Sequence, residues 1–283
     1  MKLGIVVFTL CWTAASAAQE PAEVPFQLID GWAIVLEGTL GSVPHQKMLV
    51  DTGSVPSAIN IKVAKRLRLL GSFQQLSVIN RSINVERVRV PEVRLGAVAL
   101  EALDMVAMNL GPIEQALGTR IDAVIGLDLL ARQNFSIDYR RKKLVFGNGA
   151  DSAGAITFEM KHEAGGTYIL IPIDSGGEKL QMLLDTGTKD LMLFERRLRG
   201  ALQKLSVRGQ DFNLNAGGQD RLTEVEIQSV NVGLLSRRRQ KAYVWMTPED
   251  GLRNFDGLLG PAALGATVVA FDFDRHAVSL ETR

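Results

Sequence analysis

Two segments of this chain repeat each other in register: MLVDTGSVPSAI at 48–59 and MLLDTGTKDLML at 182–193, 134 residues apart. Each runs an apolar stretch straight into an aspartate, followed by Thr-Gly-Ser or Thr-Gly-Thr. A carboxylate at the end of a buried strand is costly unless it is paired or hydrogen-bonded. Taken singly, either segment also reads as a tight turn, since Asp and Gly are both turn formers. The recurrence of the spacing is what constrains the fold. Ile121-Asp122-Ala123-Val124-Ile125-Gly126 stands 134 residues before Phe255-Asp256-Gly257-Leu258-Leu259-Gly260. Phe135-Ser136-Ile137-Asp138-Tyr139 keeps the same offset to Val269-Ala270-Phe271-Asp272-Phe273, as does Leu144-Val145-Phe146 to Val278-Ser279-Leu280. One middle pair, Val93–Gly96 and Val230–Gly233, is displaced by 137, an insertion of three that is later compensated. Repetition on this scale predicts a duplicated unit, each half built to one plan.

Each half reads mainly as short strands rich in β-branched residues, at Trp32–Thr39 and Lys47–Val50 in the first and at Tyr168–Ile173 and Leu180–Leu184 in the second. Helical spacing is brief, at Ile59–Leu70 and Leu127–Arg132, with weaker candidates at Glu195–Leu202 and Pro261–Leu264. Gly147-Asn148-Gly149-Ala150-Asp151-Ser152-Ala153-Gly154 has the composition of a connector. The expected organisation is a lobe at 19–147, a linker at 148–155 and a second lobe at 156–283.

Residues 1–18 are set apart from this plan. Lys2, the apolar run Leu3–Trp12 and the small residues Ala15-Ser16-Ala17-Ala18 have the layout of a secretory signal peptide, and about ten apolar residues are too few to cross a hydrocarbon core that needs about twenty. Export to the periplasm or the exterior is therefore expected. Cys11 leaves with the signal, so no disulfide can staple the mature chain. Loss of Lys2 leaves basic and acidic residues in balance, which argues against nucleic acid or an anionic membrane as partner. The runs Arg140-Arg141-Lys142-Lys143 and Arg237-Arg238-Arg239-Gln240-Lys241 read as solvated turns or loops. His45, His162 and His276 are scattered singly, without metal-ligand spacing or a Ser-His pairing.

The paired D-T-G-[ST] segments, each followed about 70 residues later by Asp-x-apolar-apolar-Gly, resemble the aspartic peptidases of the pepsin and retropepsin type. FDGLLGPAAL and FDFDRHAVSL are similar to segments of the pepsin family, and the resemblance covers nearly all the chain after residue 18, in order and twice. It implies a mostly β fold of two homologous β-barrel lobes related by a pseudo-twofold axis, with the active site between them. It also implies an endopeptidase with a peptide or protein substrate, no cofactor, no metal, and a monomeric enzyme. Asp51 and Asp185 would meet around one water. At about 4 Å and an effective dielectric near 20, two carboxylates repel by about 4 kcal/mol, or about three pKa units, so they should hold one proton between them.

The neighbours acquire roles from the same resemblance. Thr52 and Thr186 would hydrogen-bond to the opposite loop and lock the lobes. Gly53 and Gly187 would let backbone and substrate approach without a Cβ in the way. Ser54 and Thr188 would hydrogen-bond the outer carboxylate oxygens and pull the pair's titration down. The segments ending in Gly126 and Gly260 would pass behind each loop, and Asp122, Asp256, Asp138 and Asp272 read as structural. One departure concerns the hairpin that closes over substrate: pepsin-like enzymes carry a tyrosine there, whereas 78–85 and its counterpart 213–220 have none. Short lobes and two such hairpins lean towards retropepsin units fused in one chain, with one or both hairpins as flaps. Pepsin-like zymogens also carry a basic pro-segment, but Gln19–Gly31 is short and contains Glu20, Glu23 and Asp30 without a Lys or Arg. The leading alternative is a non-catalytic peptide-binding protein on the same fold, and a more distant one is the D-T-G-T phosphate loop of sugar kinases and actin-like ATPases.

Overall fold

The computed structural model describes residues 22–78, 81–147, 149, 154–163, 166–198, 205–215, 218–245 and 254–282. The expected signal peptide and most of the expected linker lie outside these residues. Among the described residues the fold is mostly β, 63% strand against 10% helix, in one sheet of thirteen strands and one of eight.

The first half contains β1 (Ala22–Ile29), β2 (Ala33–Leu40), β3 (Val43–Val50), β4 (Ala58–Asn60), α1 (Ile61–Arg66), β5 (Gly71–Val78), β6 (Arg81–Leu95) and β7 (Val98–Met108). It continues with α2 (Gly111–Leu117), β8 (Ala123–Ile125), α3 (Leu127–Leu130), β9 (Phe135–Asp138) and β10 (Lys143–Phe146). The second half contains β11 (Ile156–Thr157), β12 (Glu159–Glu163), β13 (Gly166–Ser175), β14 (Glu178–Leu184), β15 (Leu191–Phe194), β16 (Ser206–Asn215), β17 (Gly218–Val232) and β18 (Leu235–Trp245). It ends with β19 (Gly257–Leu259), β20 (Ala266–Asp272) and β21 (Ala277–Thr282).

The strand order is the same in both halves. The first runs β1-β2-β3-β8-β4-β7-β6-β5 with β2 also pairing β6; the second runs β12-β13-β14-β19-β15-β18-β17-β16 with β13 also pairing β17. The extra pairing curls each sheet back on itself. The strands that lead into the two D-T-G segments, β3 and β14, each have an antiparallel neighbour on one edge and a parallel one on the other. Their last residues are buried on both faces, Met48, Leu49 and Val50 in one and Met182, Leu183 and Leu184 in the other. That is why these runs are continuously apolar rather than alternating.

Six strands, β11-β21-β20-β9-β10-β1, connect the halves. At their centre β9 and β20 pair antiparallel with Ser136 opposite Ala270, flanked by Phe135 opposite Phe271 and Ile137 opposite Val269. The Phe135 and Phe271 rings stack with centroids 4.5 Å apart, and Phe273 stacks on both. Aromatic pairs of this kind add about 0.5–1.5 kcal/mol each beyond the area they bury. One hydrophobic cluster runs through both halves, from Val24 to Val278.

Several expectations need correction. Residues 22–29 were expected to precede the first strong strand, at Trp32; they form β1, whose residues 22–25 pair with β10 and 26–29 with β2. Val24 and Phe26 are its buried positions, and Pro25 between them blurs the strand signal. The helix expected over Ile59–Leu70 is only α1, because the Asn60 side chain caps it by accepting the Lys62 N–H at 3.1 Å and Ile59 belongs to β4. Leu127–Arg132 shortens to α3, and the two weaker candidates are 3-10 turns at Glu195–Arg197 and Pro261–Leu264, with 199–202 outside the described residues. Helix α2 was not anticipated; Pro112 opens it and Gly118, left-handed at φ 60°, ends it.

Both expected flap segments fall on hairpin ends. β5 and β6 pair up to Val78 opposite Arg81, and β16 and β17 pair up to Asn215 opposite Gly218, with the connecting residues outside the described set. β16 of the second half runs beside α2 of the first.

Candidate active site

Asp51 and Asp185 are the first residues beyond β3 and β14. The Asp51 N–H donates to Ile125 O at 2.9 Å and the Asp185 N–H to Leu259 O at 3.0 Å, so each aspartate is held by the end of the parallel strand beside it. A tight turn follows in both, closed by Ser54 N–H on Asp51 O at 3.2 Å and Thr188 N–H on Asp185 O at 3.4 Å. The chain passes close behind each turn: a Cβ added at Gly126 would sit 2.0 Å from Ser54 O, and one at Gly260 would sit 2.3 Å from Thr188 O. Only glycine fits there.

The two turns face each other. A Cβ on Gly53 would lie 2.5 Å from the Asp185 carboxyl carbon, and a Cβ on Gly187 would lie 2.5 Å from that of Asp51. Each aspartate therefore packs its carboxyl on the glycine of the opposite turn. Each also accepts from the glycine of its own turn, Gly53 N–H to Asp51 Oδ1 at 2.8 Å and Gly187 N–H to Asp185 Oδ1 at 2.7 Å.

The threonines cross over. Thr52 Oγ1 donates to Leu184 O at 2.7 Å and accepts the Thr186 N–H at 3.0 Å. Thr186 Oγ1 donates to Val50 O at 3.1 Å and accepts the Thr52 N–H at 3.0 Å. Both side chains are buried, so four hydrogen bonds join the turns without competition from water.

Ser54 and Thr188 behave differently from expectation. The Ser54 hydroxyl donates to Pro56 O at 3.3 Å, and the Thr188 hydroxyl lies 3.5 Å from Met192 Sδ. A hydroxyl has one proton, and a carboxylate only accepts, so a proton directed elsewhere does not hold the aspartate. Backbone N–H groups hold the carboxyls instead, that of Gly53 on Asp51 Oδ1 and that of Gly187 on Asp185 Oδ1.

Electrostatics follow from this packing. Burial pushes both carboxyls above the usual carboxylate range, Asp185 well above it, with the charge of Asp51 and a hydrogen bond with it adding to burial there. The backbone donors oppose the shift in both. A proton is thus retained by the pair at a pH where a solvated aspartate would have lost it.

The remaining aspartates of the repeated motifs serve the backbone. Asp122 accepts the Lys47 N–H and Asp256 the Gln181 N–H, at 2.9 and 2.8 Å, fastening the strands that lead to the turns. Asp138 and Asp272 accept N–H groups three residues on, from Arg141 and Arg275. Two residues beside the first turn escaped the sequence reading. Asp128 accepts the Ser57 N–H at 2.8 Å and contacts its hydroxyl at 2.5 Å. The available signal was an acid inside the apolar run Leu127-Asp128-Leu129-Leu130, with no acid at the corresponding Ala262.

Among the described residues, no group of three or more His, Cys, Asp and Glu side chains could hold a metal ion, and no helix is long and apolar enough to cross a membrane. No curated protein matches the chain. Residues 36–129, which carry the Asp51 turn and the Gly126 segment behind it, match the family model described as aspartyl protease.

Proposed function

We propose that this chain is an aspartic endopeptidase in which Asp51 and Asp185 activate one water against a peptide bond. The observation that carries the reading is the mutual approach of the two turns, each carboxyl lying on the other turn's glycine, with Asp185 buried and Asp51 half-buried. With one proton on the pair, the ionised carboxylate takes a proton from the water as its oxygen bonds to the carbonyl carbon. The protonated carboxyl gives its proton to the carbonyl oxygen, leaving a neutral tetrahedral diol. As the diol collapses, the carboxyl that took the water's proton gives it to the departing amine nitrogen, the C–N bond breaks, and a diol hydroxyl passes its proton to the other carboxylate, which restores the starting arrangement of the pair.

Two D-T-G turns in one chain make the pair complete without a second subunit, so the enzyme acts as a monomer of two homologous lobes. The hairpins β5–β6 and β16–β17 are read as two flaps, a reading supported by β16 lying against α2 of the other half. Export through residues 1–18 belongs to the same proposal. The test is turnover of a mixed peptide library between pH 3 and 8 by the chain from Gln19. Cleavage with an acidic bell-shaped profile, lost in both Asp51→Asn and Asp185→Asn, is expected. Near-normal turnover by either variant refutes the dyad, and binding without turnover at any pH favours a peptide-binding protein.

A further inference from the structure

The two turns are alike where they face each other and differ at their outer ends. In the second turn, the residue corresponding to Ser57 is Leu191, buried in the core, and the residue corresponding to Asp128 is Ala262. There the Gly260 N–H donates to a backbone carbonyl, Asp190 O at 3.0 Å, beside the apolar packing of Leu191, and no side chain makes the link. In the first turn Ser57 is fully buried and every polar atom it has is used. Its N–H donates to Asp128 Oδ2 at 2.8 Å, its Oγ lies 2.5 Å from Asp128 Oδ1 and accepts the Gly126 N–H at 2.9 Å, and its carbonyl accepts the Val106 N–H at 3.0 Å. Asp128 stands at the start of α3, two residues beyond the glycine that passes behind the Asp51 turn, and the Leu127 N–H reaches Ser54 O at 3.1 Å.

We propose that Asp128 is a positioning residue for Asp51: through Ser57 it pins the outer end of the Asp51 turn to α3, and so sets where the Asp51 carboxyl stands against Asp185. This rests on the aspartic peptidase reading of the pair. The turn is held at its inner end by β3 and the Thr52 crossover, and at its outer end by Ser57. Releasing one end lets the carboxyl shift while the other end keeps the fold. Reaction between a bound peptide, a water and two carboxyls is sensitive to such a shift, since about 1 Å of misplacement costs on the order of 100-fold in rate.

The role belongs to hydrogen-bond geometry rather than to charge. An asparagine at 128 can accept the Ser57 N–H with its oxygen and donate to Ser57 Oγ with its nitrogen. Ser57 Oγ has two lone pairs, enough for that donor and the Gly126 N–H together, while its own proton, given to Asp128 Oδ1 in the wild type, loses that one acceptor. Asp128→Asn should therefore keep the link, and Asp128→Ala should break it. Leu191 and Ala262 imply that the Asp185 turn has no equivalent dependence.

The experiment compares the wild type with Asp128→Ala, Asp128→Asn, Ser57→Ala and the double variant Asp128→Ala/Ser57→Ala. It measures kcat and KM on one cleaved peptide, together with amide hydrogen exchange at Gly53 and Ser54. The expected result is a kcat lowered about 10- to 100-fold in Asp128→Ala and Ser57→Ala, with KM within about twofold. The double variant should fall well short of the product of the two single losses, because both single variants remove the shared hydroxyl link between Ser57 and Asp128. Asp128→Asn should stay within about threefold of wild type, and exchange at the two amides should quicken only in the alanine variants. An unchanged kcat and exchange in Asp128→Ala, an Asn variant as impaired as the Ala variant, or losses that multiply in the double variant would each overturn the proposal. Ser57→Ala is the milder lesion, since it keeps the N–H link, and it decides the matter if Asp128→Ala does not fold. If the wild type cleaves nothing, the peptidase reading fails, and the exchange comparison still decides whether Asp128 holds the turn.

Discussion

The four hydrogen bonds that cross between Thr52 and Thr186 set a quantitative expectation for what joins the two turns. Thr52→Val keeps the shape of the side chain but removes the hydroxyl, which leaves the Thr186 N–H without its partner and takes one donor from Leu184 O. Thr186→Val does the same to the Thr52 N–H and to Val50 O. Both side chains are about fully buried, at 0% and 1% exposure, so water does not replace what is lost. A buried donor left unsatisfied costs about 1–3 kcal/mol, and with the weakened carbonyl each variant should lose about 2–4 kcal/mol. The arrangement is reciprocal, so the two costs should agree within about 1 kcal/mol. The hydroxyls bond to backbone rather than to each other, so the double variant should lose roughly the sum, with any excess measuring coupling between the turns. Urea unfolding with linear extrapolation reads all three. A loss below about 0.5 kcal/mol in either single variant, or a large inequality between them, would refute the crossover as the clamp.

Further expectations concern charge and the N-terminus. The folded pKa of Asp185 is raised by burial and by Asp51, so the native state binds its proton more tightly than the unfolded chain. Stability then falls as pH rises from the ordinary carboxylate range through the raised pKa; Asp185→Asn should raise Tm near neutral pH and leave it unchanged below about pH 3, and a difference independent of pH contradicts this. Because the Ser54 and Thr188 hydroxyls point away from the carboxyls, the pair Ser54→Ala and Thr188→Val should leave the pH–rate profile within about 0.3 units, and a clear upward shift returns those hydroxyls to the site. The chain beginning at Gln19 should be active without a second N-terminal cut, while one beginning at Trp32 should lose the β1 ladder and with it cooperative folding; N-terminal sequencing during an acidic assay checks the first and circular dichroism the second.

Much of the site is legible in the primary structure because its signals are local and doubled. An aspartate after an apolar run, a glycine two residues on, and a second glycine about 70 residues later recur at one offset, and the structure puts those glycines where a Cβ would strike a carboxyl or a carbonyl. The strand content follows in the same way from runs of β-branched residues. Strand β1 was less visible, since Val24 and Phe26 are only two buried positions around a proline, and its place depends on β10, some 120 residues further along.

The sequence by itself determined that two equivalent turns exist, that each carries an aspartate, and that close backbone approach surrounds both. Tertiary structure alone decided which atoms meet. The proton of a hydroxyl goes wherever its rotamer and neighbours direct it, so nothing in D-T-G-S announces that Thr52 reaches Leu184 while Ser54 turns to Pro56. The Ser57–Asp128 link, 71 residues apart, likewise arises only when α3 folds back behind the first turn. The repeat reveals where the halves agree; the difference between them, polar at Ser57 and Asp128 and apolar at Leu191 and Ala262, becomes a physical asymmetry only once the sheets have brought those positions together.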